Sequence, residues 1–293
     1  MLKRSHFKVK TLAYLLVLPQ MLVTVVFFFW PALKAFYESF FIEDPFGIHH
    51  HFVWFRNFVE LFHSSDYLHS LFITFVFSLA VTVLTLFGGL FFAVLADRVT
   101  KGRTVYQSLL ILPYAVAPAI AGVLVRFLFD PAIGIFPYWL DKIGYHWNYN
   151  THASQALFLV IITAAWQQIS YNFIFYLASL KSLPHSVLEA ASLDGAGPFR
   201  RFFTITFPML SPITFFLVII NMLYAFFDTF GIIQVMTQGG PANATQTMVY
   251  KVYQDGFLGL DFGSSSAQSV ILMLVIVVLT VIQFRYIEKK VHY

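Results

Sequence analysis

The chain has no cysteine and little charge of either sign. The first absence removes disulfides, thiolate nucleophiles and zinc–thiolate centres together, and it leaves the compartment unspecified. The second says more. Charged residues make up 11% of the 293 positions, where a soluble domain carries about a quarter. No G-x-x-x-x-G-K-S/T phosphate loop occurs, so ATP hydrolysis is not expected of this polypeptide. Neither H-E-x-x-H nor G-x-S-x-G is present, and carboxylates are missing from the interiors of the apolar runs, which argues against an intramembrane enzyme. Buried ionisable groups and inverted repeats, expected of an ion-coupled secondary transporter, do not appear either. The formal charge of +4 does not suggest nucleic acid, because the basic residues lie in short groups rather than along one stripe.

What fills the chain is apolar: 59% hydrophobic residues, with 36 Phe and 15 Tyr, and a mean hydropathy of +0.74. Crossing a hydrocarbon core of about 30 Å takes roughly 20 apolar residues in a helix. Six runs free of Asp, Glu, Lys and Arg are long enough: Thr11–Leu33, Leu71–Ala96, Thr104–Val125, Ala153–Leu180, Phe202–Phe227 and Phe262–Phe284. Each charge placed at a span centre costs about 3 kcal/mol, so runs this long and uncharged point to an all-α integral membrane chain with six spans in a single domain. Pro19, Pro113, Pro118, Pro208 and Pro212 fall inside runs and are expected as kinks, which membrane helices tolerate.

Orientation follows from Lys and Arg. With the amino terminus inside, the inner segments hold Lys3, Arg4, Lys8 and Lys10, then Arg98, Lys101 and Arg103, then Lys181, Arg200 and Arg201, and finally Arg285, Lys289 and Lys290. The outer segments hold only Lys34, Arg56, Arg126, Lys142 and Lys251. Both termini are therefore expected in the cytosol. The first run is too long for a signal peptide and lacks a small-residue cleavage site, so it is read as an uncleaved anchor.

Outer segments 34–70, 126–152 and 228–261 carry Trp54, Trp139 and Trp147, suited to interfacial packing and to contact with an outside partner. Ile232, Ile233, Val235 and Met236 before Gly239-Gly240-Pro241 suggest a short apolar piece that dips back and turns. His49-His50-His51, with His63 and His69 nearby, reads as a solvated outer loop, since adjacent histidines cannot all face one ion. No metal site is expected.

The inner segment 181–201 is polar and unusually composed. From Pro184 it suits a short helix with Pro near the first turn and Glu189, Ala190 and Ala191 inside it. Asp194 follows, and Gly195 stands where a left-handed cap is needed. About ten residues is too short for a helix stable alone in water. The small residues Ala190, Ala191 and Ala196 would let another backbone come close.

The spacing Glu189-Ala190-Ala191, Gly195, then Ile205-Thr206-Phe207-Pro208 resembles the signature loop of bacterial ABC importer permeases; Phe207 stands where the family usually has Leu. The resemblance covers most of the chain. Leu112-Pro113-Tyr114-Ala115-Val116-Ala117-Pro118-Ala119, Gln168-Ile169-Ser170-Tyr171-Asn172-Phe173, Asp194-Gly195-Ala196-Gly197-Pro198 with Arg200-Arg201-Phe202-Phe203, and Tyr224-Ala225-Phe226-Phe227-Asp228-Thr229-Phe230 are similar to permeases of the carbohydrate-uptake group. So are Asp44-Pro45-Phe46-Gly47 and Gln283-Phe284-Arg285-Tyr286. Within that group the closest likeness is to glycerol-3-phosphate importers. The resemblance implies the type I importer fold, with the 181–201 loop as a coupling helix that docks on a cytosolic ATPase through Glu189, Ala190, Ala191, Asp194 and Gly195. It implies a second homologous permease subunit, two ATP-binding subunits and an extracytoplasmic substrate-binding protein. ATP and Mg would sit on the ATPase, with no cofactor on this chain. The substrate would be sn-glycerol-3-phosphate or a related glycerophosphodiester; the alternative is a sugar or oligosaccharide.

Polar residues within spans are costly and face a cavity or another helix. Gln168, Tyr171 and Asn172 share one helical face, as do Asn221, Tyr224 and Asp228. Amides and phenols both donate and accept, as a polyol requires, so these six are candidates for the substrate path. Hydrogen bonding between helices is the alternative. For a phosphate, Arg126 is the nearest cationic candidate and Lys251 a poorer one.

Overall fold

The structure is a computed structural model that describes residues 10–43, 50–99 and 101–287. The basic residues Lys3, Arg4, Lys8, Lys289 and Lys290, the block Asp44–Gly47 and His49 lie outside the described residues. The chain divides into two compact units, Met1–His63 with Val252–Ile271, and Ser64–Lys251 with Leu272–Tyr293.

In the first unit, helix α1 (Tyr14–Glu38) is long and apolar enough to cross a membrane, and none of its side chains is buried. The fold is not helical throughout, because strands β1 (Phe41–Glu43) and β2 (His50–Phe52) pair antiparallel, Phe41 opposite Phe52. Helix α2 (Arg56–His63) ties itself to this hairpin through buried Asn57, whose amide donates to the carbonyls of Ser39 and Phe41, both at 2.9 Å. Gly263 packs on the Phe41 carbonyl so closely that no side chain would fit.

The second unit holds α3 (Ser65–Arg98), α4 (Arg103–Ala115), α5 (Pro118–Leu128), α6 (Ile135–Lys142), α7 (Ala153–Ser182), α8 (His185–Leu193), α9 (Ser211–Asp228) and α10 (Phe230–Met236). Helix α11 (Phe262–Arg285) contributes residues to both units. Helices α3 and α7 pack backbone to backbone, and glycine makes this possible. A Cβ on Gly89 would collide with Asn172, and one on Gly88 would sit 2.7 Å from Ile169 Cδ1. Small residues at crossings are how membrane helices gain close packing when no hydrophobic force drives them together. Leu90, Ala93, Ala96, Phe173, Tyr176, Leu177, Leu210 and Leu217 form the core around this crossing. A buried hydroxyl stripe, Ser70, Thr74, Ser78, Thr82 and Thr85, runs along α3. Two of its members bond to the 246–248 segment: the Ser70 hydroxyl donates to the side-chain Oε1 of Gln246 at 2.9 Å, and the Met248 backbone amide donates to Thr74 Oγ1 at 2.8 Å.

Two expected spans are corrected. The run Thr104–Val125 is not one helix with a kink: α4 and α5 meet at a bend of 100°. Val116 (ψ 129°) and Ala117 (ψ 141°) are extended, because a residue before proline is pushed out of the helical region and Pro118 is preorganised to start a new helix. The Gln167 amide donates to the freed Val116 carbonyl at 2.6 Å and holds the break open. The run Phe202–Phe227 is likewise not one continuous helix. Its spanning helix, α9, begins at Ser211 with Pro212 in its first turn, after Leu210 closes a separate short piece. Among the described residues, five helices are long and apolar enough to cross a membrane, or six with the bent pair as one. The short apolar piece is present as α10, with Ile232 and Ile233 buried, followed by a turn through Gly239 (φ 82°). Gly122 of α5 lets α10 approach, its missing Cβ lying 3.4 Å from the Ile232 backbone.

Candidate functional site

The inner loop forms the expected short helix. Pro184 stands at its amino end and Gly195, at φ 78°, closes it. The Ala196 amide donates to Ala191 O at 3.0 Å and the Gly195 amide to Ser192 O at 3.2 Å, the paired bonds of a Schellman cap. Nothing lies within 4 Å of where a Gly195 Cβ would be. Glycine is therefore needed here for its backbone conformation, not for space within this chain.

Glu189, Ala190, Asp194 and Gly195 are exposed, whereas Ala191 is buried against its own chain and Ala196 is half-buried. The three alanines thus do not form one outward small face. Two residues not singled out in the sequence stand out instead, Leu193 at 89% exposure and Phe199 at 80%. Their signal was readable: large apolar residues flank the glycine turn in an otherwise polar segment, with no apolar periodicity to bury them. Beneath the helix a cavity of about 220 Å³ is bordered by Asp97, Arg98, Leu188 and Arg201.

A larger cavity, about 570 Å³, opens where the α4–α5 break faces α7 and α9. Of the six candidate path residues, Gln168, Tyr171, Tyr224 and Asp228 line it. Asn172 and Asn221 do not. Both are fully buried, and their amides bond reciprocally across α7 and α9 at 2.9 and 2.8 Å, so they act as a clasp between helices. The wall also takes Tyr114, Val116 and Pro118, missed as path residues because only the break in the third run brings them there, and Gln167 of α7. The Tyr114 and Tyr171 rings lie 5.5 Å apart. The Tyr224 hydroxyl is 3.4 Å from both Ala164 O and Gln167 Oε1. Helix α9 widens into π-type turns at Tyr224–Asp228, a distortion frequent at functional sites. Among the described residues, no lysine or arginine belongs to the wall.

Arg126 lies elsewhere. It sits in the last turn of α5, where a cation complements the helix dipole, and its guanidinium donates to Val235 O at 2.8 Å. A separate cavity of about 240 Å³ adjoins it, with Tyr149, Asn150 and Gln238. Burial raises the Tyr149 phenol above its ordinary pKa, the Arg126 charge opposing and Asp130 adding to the shift. The expected phosphate contact is thus outside the cavity that holds Gln168.

A helical membrane unit with a broken span, a polar-lined cavity and a capped helix on its loop defines a solute permease. Residues 86–293 match the family of binding-protein-dependent transport system inner membrane components. The chain belongs to that family, the ABC permeases, and is an inner-membrane protein. It is 53% identical over 292 residues, the full length of both chains, to the sn-glycerol-3-phosphate transport system permease protein UgpA of Rhizobium meliloti (strain 1021). It is 52% identical to the proteins of the same name from Yersinia enterocolitica and Escherichia coli (strain UTI89 / UPEC), across 99% of this chain and 98% of each relative. Among solved structures, a bacterial ABC transporter that imports the acidic polysaccharide alginate superimposes with a TM-score of 0.80 at 20% identity, covering 94% of this chain and 96% of that one. A bacterial alginate ABC transporter in complex with an alginate pentasaccharide-bound periplasmic protein gives 0.80 at 21% identity, covering 93% and 92%. At these identities the likeness speaks for the fold.

Proposed function

We propose that this chain is one of two homologous permease subunits of an ATP-driven importer for sn-glycerol-3-phosphate or a related glycerophosphodiester. The chain crosses the membrane six times, with α4 and α5 together making the third crossing and both termini in the cytosol. An extracytoplasmic binding protein delivers the substrate. Two ATP-binding subunits, which carry the ATP and Mg, grip α8 from the cytosol. Closure of the ATPase pair moves α8 and shifts a two-state membrane unit between outward and inward access, so the work done on the solute is the differential affinity of nucleotide for the two states. This chain performs no chemistry.

The observation that carries the reading is the end-to-end 53% identity to a glycerol-3-phosphate permease, together with the exposed Leu193 and Phe199 on a helix capped by Gly195. Large apolar side chains that exposed beside a short helix call for a covering partner. The test is reconstitution of the complete complex in proteoliposomes, comparing ATP-dependent uptake of sn-glycerol-3-phosphate with that of maltose-type sugars. Accumulation of the phosphate ester alone supports the reading. Sugar uptake without phosphate-ester uptake overturns the substrate, and full-rate transport by this single chain overturns the division of labour.

A further inference from the structure

We propose that the amino end of α5, with the Gln168 amide beside it, is the anion-holding point of the path and takes the phosphate of a phosphate monoester without any lysine or arginine. The inference rests on the substrate reading above and adds the place and means of phosphate binding.

Helix α5 runs for 11 residues from Pro118, and no side chain caps it. Its first internal bond is Ala121 N to Ala117 O at 3.0 Å. Pro118 has no N–H, and the amides of Ala119 and Ile120 have no hydrogen-bond partner among the described residues. A helix start of this kind presents two donors and about half a positive charge. Where a membrane helix is interrupted at a solute path, such half-helix amino ends face anionic groups.

A second, independent feature lies at the same place. Gln168 is 4% exposed and lines the same cavity as Val116 and Pro118, yet its amide has no partner among the described residues. Its neighbour Gln167 spends its amide on Val116 O; Gln168 is left with two N–H donors and an acceptor facing the cavity. An amide that spends no hydrogen bond on the protein and opens on the cavity can give its two N–H donors to a ligand that accepts them.

The remaining groups set the orientation. Among the described residues, Asp228 is the one charged side chain of the wall, and it repels a phosphate while accepting hydrogen bonds from hydroxyls. The phosphate therefore goes to α5, and the glycerol end toward Asp228. A Cβ on Gly231 would lie 3.4 Å from Ala119 N, so glycine at that position leaves the amide uncovered. Arg126 is eight residues along the same helix, about 12 Å away, and is already bonded to Val235 O. A dipole and an amide hold an anion less tightly than a guanidinium does, which suits a site that must also release.

The test uses the complete complex with its binding protein and measures sn-glycerol-3-phosphate uptake at equal amounts of assembled complex. Gln168→Glu places a negative charge at the site and should raise KM by about ten- to hundredfold, the equivalent of losing a hydrogen bond to a charged group. Gln168→Arg should keep transport and lower KM. A packing role for Gln168 has no such sign dependence. The proposal is overturned if the Glu variant transports as well as the Arg variant, whether both are active or both are dead. Gly231→Ala, which lays a methyl against Ala119 N, should raise KM in the same direction, and an unchanged KM there removes the helix terminus from the site. A wild-type complex that takes up a neutral sugar and no phosphate ester fails the substrate reading instead, before any variant is compared.

Discussion

Replacing Gly195 separates backbone conformation from steric access at α8. A non-glycine residue in the left-handed region costs roughly 1–2 kcal/mol. The open space around the position adds no clash, so Gly195→Ala should lose about that much and nothing more. The loss falls on the two cap bonds, Ala196 to Ala191 and Gly195 to Ser192. At about 1 kcal/mol the population of the frayed end rises roughly fivefold. Amide hydrogen exchange at Ala196 in the assembled complex should accelerate by that factor. Asparagine enters the left-handed region more readily than alanine, so Gly195→Asn should fall between wild type and the Ala variant. If α8 transmits force from the ATPase, uptake per ATP hydrolysed should fall in the same order, with the membrane helices still assembled. Unchanged exchange in the Ala variant would refute the cap argument. Exchange that follows the expected order while the Asn and Ala variants lose transport equally would show that the partner, rather than φ, demands glycine.

Other outcomes follow from the same geometry. Asn172→Val or Asn221→Val alone strands a buried amide and should destabilise the α7–α9 contact by about 1–3 kcal/mol, whereas the double variant should recover most of it; unfolding of the purified complex in a thermal ramp gives the cycle. Gly89→Val should prevent the α3–α7 approach altogether, read as loss of assembled protein in membranes, because its side chain would collide with Asn172 Cβ and the Asn172–Phe173 backbone rather than with a movable side-chain end. Leu193→Asp with Phe199→Asp should abolish co-purification of the ATP-binding subunit and leave the second permease subunit bound. Gln167→Leu removes the donor to Val116 O and should lower uptake by loosening the α4–α5 break, with faster amide exchange across residues 116–121 as the check.

How much of this was legible in the sequence depends on the range of the interaction involved. Local rules were enough for α8: Pro184, the Ala run and Gly195 specify start, body and stop within a dozen residues, and the cap formed as expected. Span existence was legible for the same reason, since apolar length alone decides it. The break at Val116–Ala117 was misread as a kink. Two prolines five residues apart do carry the signal, but whether the chain bends or breaks depends on Gln167, fifty-one residues away, accepting the role of partner to Val116. Helical spacing puts Gln168, Tyr171 and Asn172 on one face, and Asn221, Tyr224 and Asp228 on another, yet spacing cannot tell a clasp from a wall. Asn172 and Gln168 are four residues apart on one face; only the presence of Asn221 opposite the former distinguishes them.

That distinction separates scaffold from path. In a membrane every polar side chain must be satisfied by protein, water or solute. Asn172 and Asn221 satisfy each other, and Gln167 is satisfied by a broken backbone, so these groups fix the geometry and have nothing left to offer a passing molecule. Gln168 and Asp228 line the same cavity without hydrogen-bond partners among the described residues, and Pro118 brings the start of α5 to the same wall. A solute that moves through must exchange its hydration shell for groups of the second kind and leave the first kind undisturbed. The double replacement of Asn172 and Asn221 should therefore leave substrate KM near that of wild type, and every change at Gln168 should move it. Equal KM effects at the clasp and at Gln168 would mean that the cavity wall and its scaffold are not separable, and the assignment of the path would fail with that result.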